Sequence, residues 1–218
     1  MARFLLLVFA LLLVGCGGRR DERRAGPPPP PPAPRAQAFQ ACTSDLLAVG
    51  VRFRALPDRE FGGGCSATGA VQLLDIGTPV TQLGAMRCGL AERFAGWVRD
   101  GAGPAALRAL GSALVRVESF GTYACRGTIG TARTGSGPPR LSGHAIANAV
   151  DIAAFVLADG RRITVLAGWS SPDPAVRGFL RAVRGDACRR FGTVLSPDYN
   201  AAHANHLHFE DDAASFCR

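Results

Sequence analysis

Three of the chain's four histidines fall within six residues, in Asn200-Ala-Ala-His203-Ala-Asn205-His206-Leu-His208-Phe-Glu210. Imidazoles gathered this closely point to metal ligation or proton transfer rather than to scattered core positions. On an extended strand His206, His208 and Glu210 project from one face while Leu207 and Phe209 project from the other, so a polar face would back onto core. The fourth histidine lies in Ser142-Gly-His144-Ala-Ile-Ala-Asn148-Ala-Val-Asp151, seven residues before a carboxylate. Together the two segments offer His, Asp and His, the number of protein donors that a catalytic zinc takes while keeping a fourth position for water. Such a set suits one Zn2+, although other first-row ions fit it. Without a metal, the same residues would form a hydrogen-bonded polar cluster.

These residues resemble the metallopeptidase superfamily that groups lysostaphin, D-Ala-D-Ala metallopeptidases and Hedgehog, whose ligands come from H-x6-D and a late H-x-H. Over nearly the whole domain, Tyr123-Ala-Cys125-Arg126, His144-Ala-x-Ala-Asn-Ala-x-Asp151 and His203-x-x-His206-x-His208 are similar to the bacterial extensin-like C-terminal family. The resemblance implies that His144, Asp151 and His208 are the zinc ligands and that His206, beside the metal, is the general base. It implies that Arg126 binds a peptide carboxylate through its planar fork, with His203 and Glu210 in support around the ligands. It also implies a small, mainly antiparallel sheet with helices on one side. Zinc held this way would bring the pKa of its water toward about 7 and polarise a scissile carbonyl; with the export signal and tether at the start of the chain, the amides of peptidoglycan peptides are the expected substrate. The chain departs from D-Ala-D-Ala peptidases in two places: Ala147 stands where they usually have glycine, and Asn205 where they have a catalytic glutamate. Hedgehog keeps such a centre without a clear peptidase role, so a zinc-containing module that binds the wall without cutting it is the alternative.

The elements that must carry these residues read as α+β. Amphipathic helices are expected around 91–98 and across 175–191, where Val176, Phe179, Leu180, Val183, Cys188 and Phe191 recur at helical spacing. Strands are expected at 150–158 and 162–166, joined by a tight turn at Asp159-Gly160, and at 114–118 and 207–209. By simple alternation Asp151, Ala153 and Phe155 would share one face, with Asp151 facing a cleft at the strand's start.

Six cysteines, Cys42, Cys65, Cys88, Cys125, Cys188 and Cys217, form an even set without a C-x-x-C pair. Three disulfides in an exported protein are expected, with fifteen possible pairings. Export is read from 1–16, where Arg3 precedes an apolar run, Phe4 to Val14, too short to span a bilayer. Leu13-Val14-Gly15-Cys16 resembles a lipobox, making Cys16 the lipidated first mature residue. Gly17 behind it points to the periplasmic face of the outer membrane. Residues 17–39, with a proline run from Pro27 to Pro32, read as a tether reaching on the order of 60 Å, and 40–218 as one domain. The formal charge of +8 is made entirely by arginine. Part of it lies in the tether, where it would either sit on anionic headgroups or an anionic wall polymer or form a solvated charge run without a partner, and the remainder is too mild for nucleic acid.

Overall fold

The computed structural model describes residues 34–128 and 140–218. The export signal, Cys16 and tether residues 17–33 lie outside them. Helix α1 (Pro34–Ala48) is followed by β1 (Arg52–Ala55), the hairpin of β2 (Arg59–Gly62) and β3 (Cys65–Ala67), then β4 (Ala70–Asp75), β5 (Val80–Thr81) and β6 (Met86–Arg87). Helix α2 (Cys88–Gly96) runs through one π-helical turn, Trp97–Ala102, into α3 (Gly103–Leu110). After β7 (Leu114–Gly121) come β8 (Ala149–Leu157), β9 (Arg162–Thr164), the short α4 (Val165–Gly168), α5 (Pro174–Arg190), β10 (Thr193–Leu195), β11 (Leu207–Glu210) and β12 (Phe216–Cys217).

Residues 34–39, assigned to the tether by composition, are the first turns of α1. Phe39, Cys42 and Leu46 recur at helical spacing and pack against the core. Cys42 is bonded to Cys88 at the start of α2. The other bridges are Cys65–Cys125, which ties β3 to the segment after β7, and Cys188–Cys217, which ties α5 to β12. No described helix is long and apolar enough to cross a membrane.

The main sheet runs β12-β10-β11-β8-β7-β5. It is mixed: β10–β12 and β5–β7 are parallel, and the remaining pairs antiparallel. Strand β7 borders β8 along its length, while β11 takes the first half of the opposite edge and β9 the second. A three-stranded antiparallel sheet, β1-β4-β6, lies apart. The β8–β9 connection turns at Asp159-Gly160, with Gly160 at φ 88°. Strand β9 stops at Thr164, earlier than expected, because the Thr164 hydroxyl accepts from Ala167 N (3.1 Å) and caps α4. Asp173 caps α5 in the same way, ahead of Pro174.

The face assignment along β8 needs correction. Ile152 pairs with Ser119 and Ala154 with Glu118, so Ala153 is an extra residue in the ladder. Such a bulge reverses the alternation beyond it. Val150 and Ile152 before the bulge, and Phe155 and Leu157 after it, therefore all belong to the core, while Asp151 faces the other way. Trp97 packs against both Phe155 and Phe209, and Phe155 against Phe179 of α5. The Trp97 indole donates to Val183 O (3.0 Å), satisfying its buried N–H. Helices thus cover one face of the sheet and leave Asp151 and His208 on the other.

Candidate metal centre

Asp151 and His208 are directly opposed residues of β8 and β11, so their side chains rise from one face of a fixed register. Asp151 Oδ1 lies 2.7 Å from His208 Nδ1. His144 reaches the same point from a 3-10 turn, Gly143–Ile146, whose start is capped by the Ser142 hydroxyl. Its Nε2 is 3.0 Å from Asp151 Oδ2 and 3.2 Å from His208 Nδ1. The turn ends at Ala147 in the left-handed conformation, φ 53° and ψ 30°. That reversal leads the chain into β8 within two residues.

Each imidazole of this triangle is held by its outer nitrogen. His144 Nδ1 donates to the Thr122 carbonyl (3.2 Å) and His208 Nε2 to Glu210 Oε1 (2.8 Å). Glu210 Oε1 also accepts from Gly143 N (3.1 Å). A methyl group at Gly143 would lie 2.5 Å from the Glu210 carboxyl carbon, so only glycine admits that approach. A carbonyl can only accept, so His144 Nδ1 carries a proton, and in a neutral ring Nε2 would present a lone pair to a carboxylate oxygen 3.0 Å away. Only a cation or a proton makes that juxtaposition favourable.

The residues fit zinc. The donor atoms lie 2.7–3.2 Å apart, against an edge of roughly 3.3 Å for a tetrahedron with zinc bonds of about 2 Å. Both imidazoles have the outer-nitrogen acceptors typical of metal-bound histidine. In the metal-free chain the positive charge is a proton. Burial disfavours it, but the carboxylates of Asp151 and Glu210 prevail and raise His208 to about 9. Asp151 is buried, which opposes its ionisation, yet the imidazoles of His144 and His208 hold it well below the usual carboxylate range. Burial likewise opposes ionisation of Glu210, and His208 prevails.

The remaining histidines form a rim. His206 Nδ1 donates to Asn205 Oδ1 (2.8 Å), and its Nε2 lies 3.5 Å from Asp151 Oδ1. His203, in a 3-10 turn Ala201–His203, donates from Nδ1 to Asn200 Oδ1 (2.7 Å). Burial pushes His203 down to about 4, with the neighbouring histidines adding to the effect. Burial also lowers His206, against the pull of Asp151. Both rings are therefore neutral near pH 7. Arg126 Nη2 lies 4.0 Å from Asp151 Oδ2. Its segment is carried by backbone bonds to the His144 segment, Ala124 N to His144 O and Ser142 N to Arg126 O (both 3.2 Å), and is pinned by Cys65–Cys125. Arg126, His203, His206, Leu195 and Tyr199 line a cavity of about 110 Å³ that opens onto His208 and Glu210.

All seven residues named from the sequence for this site thus meet at one place. Several that matter were not visible there. The Thr122 acceptor is backbone and independent of residue type. Gly143 was read only as part of a motif. Asn200 and Asn205 carry a signal in their spacing to His203 and His206. Phe120 has none: it is the extra residue of a β7 bulge between Ser119 and Gly121, exposed, with its ring centroid 5.9 Å from that of His206 in an edge-on arrangement.

Residues 40–218 match the family described as extensin-like protein C-terminus. No curated protein and no solved structure matches the chain.

Proposed function

The chain belongs to the extensin-like C-terminal family, and on that premise we propose that it is a zinc-dependent hydrolase of peptide amide bonds in peptidoglycan, anchored at the cell envelope by lipid on Cys16. The observation that carries this reading is the triangle of His144 Nε2, Asp151 and His208 Nδ1, with His206 and Arg126 beside it on one cavity. The late H-x-H, whose second histidine is strand-borne opposite an aspartate, with helices behind the sheet, supports kinship to the lysostaphin, D-Ala-D-Ala peptidase and Hedgehog superfamily.

His144, Asp151 and His208 would hold the ion, and Thr122 O and Glu210 fix their ring orientations. Zinc supplies Lewis acidity, which makes water a nucleophile near neutral pH. His206, neutral and with Nε2 free of its Asn205 bond, takes the proton of the attacking water and returns it to the leaving amine. Arg126, half-exposed on the cavity, receives a substrate carboxylate. The export signal, lipobox and proline-rich tether read from the sequence put this chemistry within reach of the wall.

One observation favours a second reading, a module that binds wall peptides without cutting them. Asn205 stands in the place of the glutamate of D-Ala-D-Ala peptidases, and its amide, which accepts from His206 Nδ1, is no proton acceptor for water. Mass spectrometry of defined wall peptides incubated with the zinc-loaded full chain separates the two. New fragments that disappear with chelator and with His206→Ala establish the hydrolase and identify its bond. Intact peptides, with one zinc confirmed per chain, establish the binding module instead.

A further inference from the structure

We propose that His203 and His206 form a second, weaker site for a late first-row divalent cation, on the rim of the first. Ring nitrogens of His203, His206 and His208 lie within 4.8 Å of one another, a looser group than the triangle with its 2.7–3.2 Å separations. His208 cannot serve both sets, because its Nδ1 faces Asp151 and His144 while its Nε2 is bonded to Glu210. That leaves His203 and His206, whose ring centroids lie 5.0 Å apart.

Both rings are set for ligation. Asn200 and Asn205 accept the Nδ1 protons, so each ring has one lone pair, on Nε2, and it is not used by the hydrogen bonds that orient the ring. His203 ends the 3-10 turn, and three residues on His206 N bonds back to His203 O (3.4 Å), which leaves the two rings adjacent. Asp151 Oδ1, 3.5 Å from His206 Nε2, draws a cation toward the pair, and Arg126 on the same cavity opposes it. Two imidazoles completed by solvent select zinc, copper or nickel over calcium or magnesium. Two donors bind less tightly than the three of the first site. Filling the pair occupies the nitrogen that the proposed hydrolysis uses as its base, so excess metal switches that activity off. This consequence rests on the proposed function, whereas the binding does not.

The test is a zinc titration of the chelator-stripped full chain, free of any histidine tag, followed by calorimetry, with His203→Asn and His206→Asn measured beside it and circular dichroism to verify folding. Two ions of distinct affinity are expected in the natural chain. Each variant should keep the tight ion and lose the weak one. A single tight ion overturns the second site and leaves the first standing, as does a weak ion that survives in both variants. A weak ion that His203→Asn abolishes, in a chain with no tight ion, supports the pair and defeats the zinc centre.

Discussion

The two histidine groups of the site are built by different means. In the triangle, Asp151 and His208 rise from paired strands whose register is fixed by backbone bonds on both sides of β8. They are buried, and their charges answer one another within about 3 Å. On the rim, His203 and His206 belong to one short looped segment and are oriented by asparagines of that segment and by the rings of Tyr199 and Phe120. Strand pairing gives the precision that metal ligation would demand, and a loop would leave the proposed proton carrier and substrate contacts free to adjust. The same contrast sets the charges: carboxylates on both sides hold a proton on His208, while burial without a bonded carboxylate keeps His203 and His206 neutral.

The contrast breaks most readily at His208. His208→Ala removes one donor and leaves Asp151 and Glu210 buried without their partner, so the tight zinc should be lost. The metal-free fold should lose about 3–5 kcal/mol, the usual cost of removing one member of a buried pair. His206→Ala should keep the zinc and shift unfolding far less. Metal content and thermal unfolding of both variants check this. Equal losses would mean that triangle and rim are one cooperative unit.

Acid and alkali should act on the two groups separately. His208 has a folded value of about 9 against 6.5 unfolded, so its stabilisation is complete below pH 6.5 and fades as pH rises toward 9. His203, at about 4 against 6.5, works the other way: its contribution is complete above pH 6.5 and fades as pH falls toward 4. The stability of the metal-free chain against denaturant should therefore fall on both sides of pH 6.5. Zinc takes the place of the His208 proton, so loading should abolish the alkaline limb and leave the acid one. An alkaline limb unchanged by zinc would place the ion elsewhere.

Much of this contrast was legible in the sequence, for physical reasons that also mark where legibility ended. Histidine and aspartate at H-x6-D and H-x-H spacing are rare and chemically specific, and β11 reads as a strand because Leu207 and Phe209 alternate with the polar residues. The amphipathic stripe of α5 was equally plain. The start of α1 was masked by the proline and arginine around it, although Phe39, Cys42 and Leu46 keep helical spacing. The bulge at Ala153 was invisible, since alanine fits either face and only the paired strand shows the extra residue. Disulfide partners depend on the folded path, and the acceptor for His144 is a backbone carbonyl that any residue would supply.

A smaller effect should come from Gly143, where loop and triangle touch. Gly143→Ala drives a methyl into the Glu210 carboxylate and displaces it from His208 Nε2. Loss of such an outer-nitrogen partner weakens metal binding by about 10- to 100-fold. Competition with a chelator of known affinity measures the change. Unaltered affinity would show that His208 is oriented by its strand alone.

The smallest effect is expected at Ala147, which closes the turn that delivers His144. Its φ of 53° suits glycine, and for alanine the left-handed region costs about 1 kcal/mol. Its methyl is buried against Ala67 and Ala70, a contact worth about 0.8 kcal/mol. Glycine would relieve the strain, forfeit the contact and add roughly 0.5–1 kcal/mol of unfolded-chain entropy. These terms oppose one another, so Ala147→Gly should change unfolding stability by less than about 1 kcal/mol. Zinc stoichiometry should stay at one tight ion, because Ser142 and Thr122 O hold His144 independently of that methyl. Loss of the ion in Ala147→Gly would mean that the packed methyl, rather than the backbone reversal, holds the turn. His144 would then belong with the adjustable loop residues rather than with the strand-fixed pair.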